Sequence, residues 1–191
     1  MGSRLTAVGS GLTGRGGWTV RAARRSDVEA IRAVAWSAWR DTYDGLLRAA
    51  TIEAFIEHAY SVESVERRIM GIFLVVGDDH HVIAFANAVQ DADRLNLAAI
   101  YALPERRGRG AGTMLLAGLR SQFPRLPIAA DVLVGNRKGE VFYERRGFTP
   151  RETIEAVLFG ERLVERRWWL PSPAASDAAD QARRGMRPNP A

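Results

Sequence analysis

The 191-residue sequence contains no cysteine. This absence excludes a disulfide-bonded scaffold, a thiolate zinc site and a cysteine nucleophile, and it fits a reducing compartment, so we expect a cytoplasmic protein. No apolar run approaches the roughly 18 residues that a membrane-spanning helix needs, and we expect no membrane association. Histidine is also scarce. His80 and His81 beside Asp78 and Asp79 lie in too tight a turn to converge on one ion, so we expect no metal.

Lysine is almost as scarce as cysteine, since Lys138 is the single example. The formal net charge of +5 therefore rests on arginine. The arginine pairs are scattered along the chain, and no aromatic residues alternate with them as they would in a base-stacking surface. We therefore do not expect a nucleic-acid partner. A small anionic ligand accounts equally well for the excess of positive charge.

Composition divides the chain into one central domain and two tails. Residues 1–16 are rich in glycine, and residues 171–191 are dominated by proline, alanine and polar residues. Both segments bury too little apolar surface to offset the entropy of ordering, so we predict that they are flexible. The segment 17–170 is long enough to bury one core, and we predict a single folded domain there.

The hydrophobic periodicity predicts the element order β α α β β β α β α β β. Ser26 and Glu29 have the spacing of a capping box, which predicts that the first helix begins there. A strand at 95–102, a helix at 113–123 and a strand at 127–134 form a βαβ unit, whose strands should be parallel. The fold class predicted is α/β or α+β, with a mixed, mostly antiparallel central sheet and one parallel crossover.

Glycines alternate in the segment that joins the strand 95–102 to its following helix. Glycine lets the backbone approach a ligand closely, and the amides at a helix N-terminus point at any anion bound there. Neighbouring arginines add charge-assisted donors suited to phosphate. The spacing is neither that of a dinucleotide fingerprint nor that of a Walker loop. We interpret the segment as a pyrophosphate site, the alternative being a plain glycine-rich turn. It comprises Arg106, Arg107, Gly108, Arg109, Gly110 and Gly112.

Two motifs in this order resemble one protein family. The pattern Pro104-x-x-Arg107-x-x-Gly110-x-Gly112, after an apolar strand, resembles the acetyl-CoA pyrophosphate loop of the GNAT N-acetyltransferases. The segment 136–148 resembles the second signature of the same family. The element order is similar too, and the likeness covers nearly the whole predicted domain. It implies the GNAT acyl-CoA N-acyltransferase fold, with helices on both faces of the sheet and acetyl-CoA as acyl donor.

The resemblance also implies which residues contact the acyl donor. In the family, the strand 95–102 splays away from the strand 127–134, and the pantetheine arm lies in the gap. A backbone amide near Ala102 would then polarise the thioester carbonyl. Asn136 would contact the pantetheine. The full set of predicted contacts is Ile100, Tyr101, Ala102, Arg107, Gly108, Arg109, Gly110, Ala111, Gly112, Thr113, Asn136 and Tyr143.

Tyr143 is the predicted general acid. It lies two helical turns from Asn136, so both side chains share one helix face. The resemblance places this tyrosine near the thioester sulfur. A phenol with a pKa of about 10 can protonate a departing thiolate. The alternative is that the ring of Tyr143 packs beside Phe142 and transfers no proton.

The general base is left open by the sequence. Asn96 occupies the position at which many relatives carry a glutamate, and an amide cannot accept a proton as a base, although it can hold a water molecule that passes the proton on. Some relatives use no side-chain base at all. The other carboxylates near the predicted site are Asp41, Asp44, Glu57, Asp91 and Asp93.

The acceptor side is predicted from aromatic residues. Trp39 and Tyr43 would form a wall against the aliphatic part of an amine, with Asn96 as a further substrate contact. The alternative is that the tryptophans of this helix belong to the core. Trp168 and Trp169 point to opposite faces of the last strand. One of them is expected in the core, and a homodimer through the other is an open alternative.

The sequence thus predicts an acetyl-CoA-dependent N-acetyltransferase. It would transfer an acetyl group to a primary amine of a small molecule, peptide or protein by direct attack in a ternary complex. No covalent enzyme intermediate is expected, because the chain has no cysteine and no serine in a nucleophile elbow. The alternative, favoured by Asn96 in place of glutamate, is a non-catalytic acyl-CoA-binding sensor or partner-binding module of the same fold.

Overall fold

The computed structural model describes residues 17–78 and 81–173. The predicted N-terminal tail, most of the C-terminal tail (174–191) and the turn residues Asp79 and His80 lie outside the described residues. The elements follow the predicted order except before the second strand, where the structure has three α-helices and the sequence predicted two; two single-turn 3₁₀ helices, Arg25–Asp27 and Pro104–Arg106, are also present. They are β1 (Thr19–Ala22), α1 (Val28–Tyr43), α2 (Ala49–Ala59), α3 (Val62–Ile69), β2 (Ile72–Gly77), β3 (Val82–Gln90), β4 (Leu95–Ala102), α4 (Ala111–Gln122), β5 (Ile128–Leu133), α5 (Arg137–Glu144), β6 (Thr149–Leu158) and β7 (Glu161–Leu170).

The strands form one seven-stranded sheet in the order β1-β2-β3-β4-β5-β7-β6. Neighbouring strands are antiparallel except β4 and β5, which are parallel and are joined through α4. This parallel pair is the predicted βαβ crossover. The predicted fold class, a mixed and mostly antiparallel sheet with one crossover, is confirmed.

The parallel strands β4 and β5 separate soon after they begin. Within the described chain they are paired at Leu95–Ile128 and Asn96–Ala129 and nowhere beyond. On its other edge β4 stays paired with β3, although a register shift leaves Ala98 bulged out of that ladder. The edge of β4 that faces β5 is therefore open beyond Asn96, and a gap widens between the two strands.

Helices cover both faces of the sheet, as predicted. Successive side chains of a strand point to opposite faces. On β2, Leu74 and Val76 enter one core, with α4 against them, whereas Phe73 and Val75 enter a second core under α1, α2 and α3. The sheet therefore separates a layer formed by α4 from a layer formed by the first three helices.

The start of α1 differs from the prediction. The capping box of Ser26 and Glu29 does not form, because Glu29 pairs with an arginine one turn along α1. Asp27 instead accepts a hydrogen bond from the Arg24 amide at 2.7 Å and two from the Arg21 guanidinium at 2.6 and 2.8 Å. A carboxylate with a guanidinium partner caps more strongly than a serine hydroxyl, and the first turn becomes 3₁₀.

The structure near the end of β7 bears on two of the sequence predictions, the position of the tryptophan pair and the end of the folded domain. Trp168 is buried in the core on the α4 side, and the ring of Trp169 lies under the Arg151 guanidinium. The chain also packs on beyond residue 170, since the Pro171 carbonyl accepts a hydrogen bond from Arg120 and Ser172 is buried. Over residues 17–78 and 81–173, no helix is both long and apolar enough to span a membrane.

Candidate active site

A cleft of about 650 Å³ runs from the gap between β4 and β5 to the N-terminus of α4. Of the predicted donor contacts, Arg109 is the one that does not line it; this side chain is exposed. The predicted contacts that the fold brings together along the cleft are Ile100, Tyr101, Ala102, Arg107, Gly108, Gly110, Ala111, Gly112, Thr113, Asn136 and Tyr143.

Two glycines give the loop before α4 its shape. Gly108 and Gly110 have φ angles of +74° and +97°, in the left-handed region that other residues rarely adopt. Gly110 immediately precedes α4, so the amides of Ala111, Gly112 and Thr113 begin the helix and have no intrahelical acceptor. These amides and the positive end of the helix dipole therefore suit an anion.

Close contacts made by α5 explain two other glycines. A Cβ on Gly112 would lie 2.5 Å from the Phe142 ring. A Cβ on Gly139 would lie 2.7 Å from the Asn136 amide nitrogen and 3.2 Å from Val132. Both positions leave no room for even an alanine side chain. Gly112 therefore allows α4 to approach α5, and Gly139 allows the capped start of α5 to pack against β5.

Positive charge lines the end of the cleft formed by the glycine loop and α5. The cationic side chains there are Arg106, Arg107, Lys138, Arg145 and Arg146. Arg146 also ties the two helices together, because its guanidinium donates to the Thr113 hydroxyl at 2.9 Å and to the Phe142 carbonyl at 2.8 Å. The cluster is suited to a polyanion such as a nucleotide pyrophosphate.

Asp41 neutralises part of this charge. Its carboxylate is ion-paired with Arg107 and with Lys138, the latter at 2.8 Å. The hydrogen bond from Lys138 is the largest influence on Asp41; together with the Arg107 guanidinium it outweighs burial and lowers the pKa of the carboxyl. A carboxylate held in this way is a poor proton acceptor, which argues against Asp41 as the general base.

Tyr143 is packed in the core and also faces the cleft. Its ring packs between Phe142, Phe148 and Trp168, with centroid distances of 5.1, 5.0 and 6.4 Å. The residue nevertheless lines the cleft, and within the described chain its hydroxyl makes no hydrogen bond. Burial, followed by the nearby Tyr43 and Asp131, raises its pKa well above the usual value of a phenol. The hydroxyl therefore stays protonated at neutral pH.

Asn136 is fixed by the start of α5. Its side-chain oxygen accepts a hydrogen bond from the Gly139 amide at 2.9 Å and so caps the helix. The side chain is buried and lines the cleft. Because the oxygen is used for capping, the NH₂ group is the part of Asn136 that remains to donate to a ligand.

A second cavity, of about 740 Å³, lies on the face covered by α1, α2 and α3. Its aromatic wall includes the predicted residues Trp39 and Tyr43. Trp39 stacks on Phe55 with a centroid distance of 3.9 Å, and the hydroxyls of Tyr43 and Tyr101 are 3.1 Å apart. Trp39 is also 95% buried, so this residue belongs both to the core and to the cavity wall.

The two cavities meet where β4 and β5 diverge. The residues that line both of them are Tyr43, Ala98, Tyr101 and Asp131. Ala98 is the bulged residue of β4, and Asp131 lies on β5 just beyond the last paired position. A molecule in each cavity would therefore make contact at this junction.

Comparison with known proteins finds similarity to one family. The family model described as acetyltransferase (GNAT) domain matches residues 70–150, which include the glycine loop and the helix that carries Tyr143. This segment of the chain is similar to the GNAT acetyltransferase domain. The N-acetyltransferase YuaI of Bacillus subtilis, which is uncharacterised, is 30% identical over 104 residues, covering 52% of this chain and 60% of that protein. The spermidine N(1)-acetyltransferase of Thermoplasma acidophilum is 26% identical over 149 residues, covering 73% and 92%.

Solved GNAT structures share the fold. The PaiA N-acetyltransferase of Thermoplasma acidophilum, crystallised with coenzyme A, has a TM-score of 0.69 and 24% identity, covering 78% of this chain and 97% of that one. The ribosomal-protein-S18-alanine N-acetyltransferase of Escherichia coli has a TM-score of 0.60 and 18% identity, covering 81% and 93%. The two named activities differ, so the likeness supports the GNAT fold and leaves the acceptor of this protein to its own residues.

Asn96 does not lie in the site, as the family resemblance had predicted that it would. It pairs with Ala129 at the closed end of the gap, and its side chain bonds to Asp91 at 2.6 Å and to Arg94 at 3.0 Å. It lines neither cavity. The bulge at Ala98 shifts the register after Asn96, so strand alternation alone could not place this side chain.

The other carboxylates considered from the sequence are also absent from the two cavity linings: Asp44, Glu57, Asp91 and Asp93. Sequence reasoning missed Asp131 and Glu165, which line the second cavity. A charged residue in the middle of the apolar run 128–133 was the available signal for Asp131. Over the described residues, no cluster of histidine and carboxylate side chains could hold a metal ion.

Proposed function

We propose that this GNAT protein transfers an acetyl group from acetyl-CoA to a primary amine by direct attack in a ternary complex. The observation that carries the proposal is the junction of the two cavities at Ala98 and Asp131. A donor that enters from the cationic cleft and an amine that enters from the aromatic cavity would meet there. The spermidine N(1)-acetyltransferase relative supports a small aliphatic amine as acceptor.

Different residues of the cleft would bind different parts of the acetyl donor. The amides of Ala111, Gly112 and Thr113 would bind the pyrophosphate, with Arg106 and Arg145 adding charge-assisted contacts. The open edge of β4 offers backbone groups to the amide-rich pantetheine arm, much as a further strand would. The NH₂ group of Asn136 would donate to that arm from the opposite wall. We also place Arg109 beside the phosphates through its main chain, because its exposed side chain does not line the cleft.

The chemical step uses a backbone donor and one phenol. An amide of β4 between the bulge at Ala98 and Ala102 would polarise the thioester carbonyl. The acceptor nitrogen forms the new C–N bond at that carbon while the C–S bond breaks. Tyr143 donates its proton to the departing sulfur. Tyr43 and Tyr101, which line both cavities, would position the amine, with Trp39 against its aliphatic part.

A cytoplasmic location and a single domain over 17–170 complete the proposal. The absence of cysteine supports the first, and the core described above supports the second. A homodimer would use the exposed side chains of the β6–β7 hairpin, such as Val157, Phe159 and Val164. Size-exclusion chromatography with light scattering would decide between monomer and dimer.

The experiment is a thiol-release assay with acetyl-CoA and a panel of amines that includes spermidine and an alanyl peptide. Because the chain has no cysteine, a chromogenic disulfide reagent reports the CoA thiol without background from the protein. Calorimetric titration with acetyl-CoA and with its 3′-dephospho form accompanies it. We expect saturable turnover with at least one amine. Tight binding without any acetylated product would instead indicate the acyl-CoA sensor, and no binding would overturn both interpretations.

A further inference from the structure

The proposed acetyl transfer needs an acceptor for the proton of the amine, and that group has not yet been assigned. The second cavity, from which the acceptor amine would enter, contains two carboxylates in its described lining, Asp131 on β5 and Glu165 on β7. Resting on the proposed function, we infer that Glu165 is the general base, and that Asp131 is the charged neighbour that strengthens it.

The sheet register places both carboxylates on one face. In the antiparallel pair of β5 and β7, Asp131 lies opposite Arg167 and Leu133 lies opposite Glu165. Residues two apart on a strand share a face, and so do directly opposed residues. Glu165 therefore lies two residues along β7 from Arg167, the partner of Asp131, and faces the same cavity.

The two carboxylates differ in what they already bind. Both oxygens of Asp131 accept hydrogen bonds from the Arg167 guanidinium, at 2.8 and 2.9 Å. Over residues 17–78 and 81–173, no hydrogen bond or ion pair engages the side chain of Glu165. Its oxygens thus keep free lone pairs in a cavity where an amine would lie, as a base requires.

The surroundings of Glu165 raise its affinity for a proton. Burial is the larger cause and the charge of Asp131 the next, and together they raise the pKa of Glu165 despite the opposing Arg167. The closeness of these charges is also seen at Tyr43, whose pKa is raised by burial and, to a lesser degree, by Glu165. The titratable and charged groups around the cavity are Asp131, Arg167, Tyr43, Tyr60, Tyr101, Arg67 and Arg68.

The protons balance with Glu165 and Tyr143 in these roles. The acceptor enters as an ammonium ion and gives one proton to Glu165, which leaves a neutral amine with a free electron pair. The amine forms the C–N bond, the C–S bond breaks, and Tyr143 protonates the sulfur. The second proton of the nitrogen returns to Tyr143. The products are the amide and CoA thiol, and Glu165 releases one proton to solvent in each turnover.

The test is the pH profile of kcat/KM in Glu165→Gln, with Glu155→Gln as the matched control. Glu155 lies on the same hairpin, is exposed and lines neither cavity. We expect Glu165→Gln to lower kcat/KM at neutral pH by roughly 10² to 10⁴-fold, with partial recovery at high pH, where the amine loses its proton unaided. Affinity for acetyl-CoA should be unchanged, and Glu155→Gln should behave as the wild type.

A second variant distinguishes a role of Glu165 as general base from a purely structural role. Arg167→Gln removes the cation that lowers the proton affinity of Glu165, so the acidic limb of the profile should move to higher pH. A wild-type profile in Glu165→Gln, or a loss that is equal at every pH, would overturn the assignment while acetyl transfer itself stands. Absence of turnover in the wild-type protein would instead overturn the proposed function.

Discussion

Asp41, near the end of α1, is ion-paired with Arg107, which lies 66 residues later on the glycine loop. Lys138 on α5 donates to the same carboxylate at 2.8 Å. One carboxylate thus joins the acceptor-side helix to both walls of the donor cleft. The Asp41 carboxylate therefore competes with the phosphates of a donor for two cationic side chains, Arg107 and Lys138.

Asp41→Asn should therefore tighten the binding of acetyl-CoA. Removing a negative charge beside a polyanion site favours binding, and we expect Kd to fall by about 3- to 10-fold at low salt, with a smaller effect at high salt. Calorimetry at two ionic strengths measures this, with Asp44→Asn as control. Weaker binding in Asp41→Asn would mean that the carboxylate positions Arg107 rather than competing for it.

Tyr143→Phe should separate packing from proton transfer. The ring keeps its contacts with Phe148 and Trp168, so thermal stability and acetyl-CoA affinity should be largely retained. Loss of the hydroxyl should lower kcat by roughly 10² to 10⁴-fold. Steady-state kinetics and the melting temperature test the two parts independently. An undiminished kcat would leave Tyr143 with its packing role alone.

Gly112→Ala should destabilise the contact between α4 and α5. The new Cβ would lie 2.5 Å from the Phe142 ring, and overpacking of this kind lowers the free energy of unfolding by about 1–3 kcal/mol. Adding Phe142→Leu should recover part of the loss, which a double-mutant cycle in urea would measure. Strictly additive effects would show that the two positions do not clash.

Stability below neutral pH should depend on Asp27. Burial alone would raise the pKa of this carboxyl, but hydrogen bonds from the Arg21 guanidinium and the Arg24 amide outweigh it and lower the pKa. A group with a lowered folded-state pKa stabilises the fold above its unfolded pKa, about 4, and this contribution is lost as pH falls through the folded value. Asp27→Asn should therefore lower the free energy of unfolding at pH 7.

The same variant should lose less stability than the wild type between pH 5 and pH 3, because the side-chain amide that replaces the carboxylate binds no proton in that range. Urea unfolding at each pH measures the difference between the two proteins. Parallel pH dependence in both would show that the Arg21–Asp27 pair contributes nothing to acid sensitivity.

The sequence was sufficient for the parts of the site that depend on local geometry. Gly108 and Gly110 were recognisable because their left-handed backbone is a property of the residue itself. The crossover followed from hydrophobic periodicity around β4, α4 and β5, and so did the order of the elements apart from the division of the second predicted helix into α2 and α3. Arg109 was placed only in part, because its main chain lies in the loop while its side chain is exposed.

The geometry of the second cavity depends on which strands are neighbours in the sheet and on their register. Hydrophobic periodicity determines neither of these. Strand β7 inserts between β5 and β6, and this brings Glu165 beside Asp131. The bulge at Ala98 changes the register after Asn96, so the residue expected in the site lies outside it. Neither the strand order nor the bulge has a signature in the residues nearest to it.

The early divergence of β4 and β5 has a mechanical consequence. Two residue pairs are the whole ladder that joins the half-sheet β1-β2-β3-β4 to the half-sheet β5-β7-β6 within the described chain. An acyl donor seated in the gap would continue that ladder and brace one half against the other. The bound donor would then take the position of an eighth strand between β4 and β5. The two half-sheets would move less relative to each other when acetyl-CoA is bound than when it is absent.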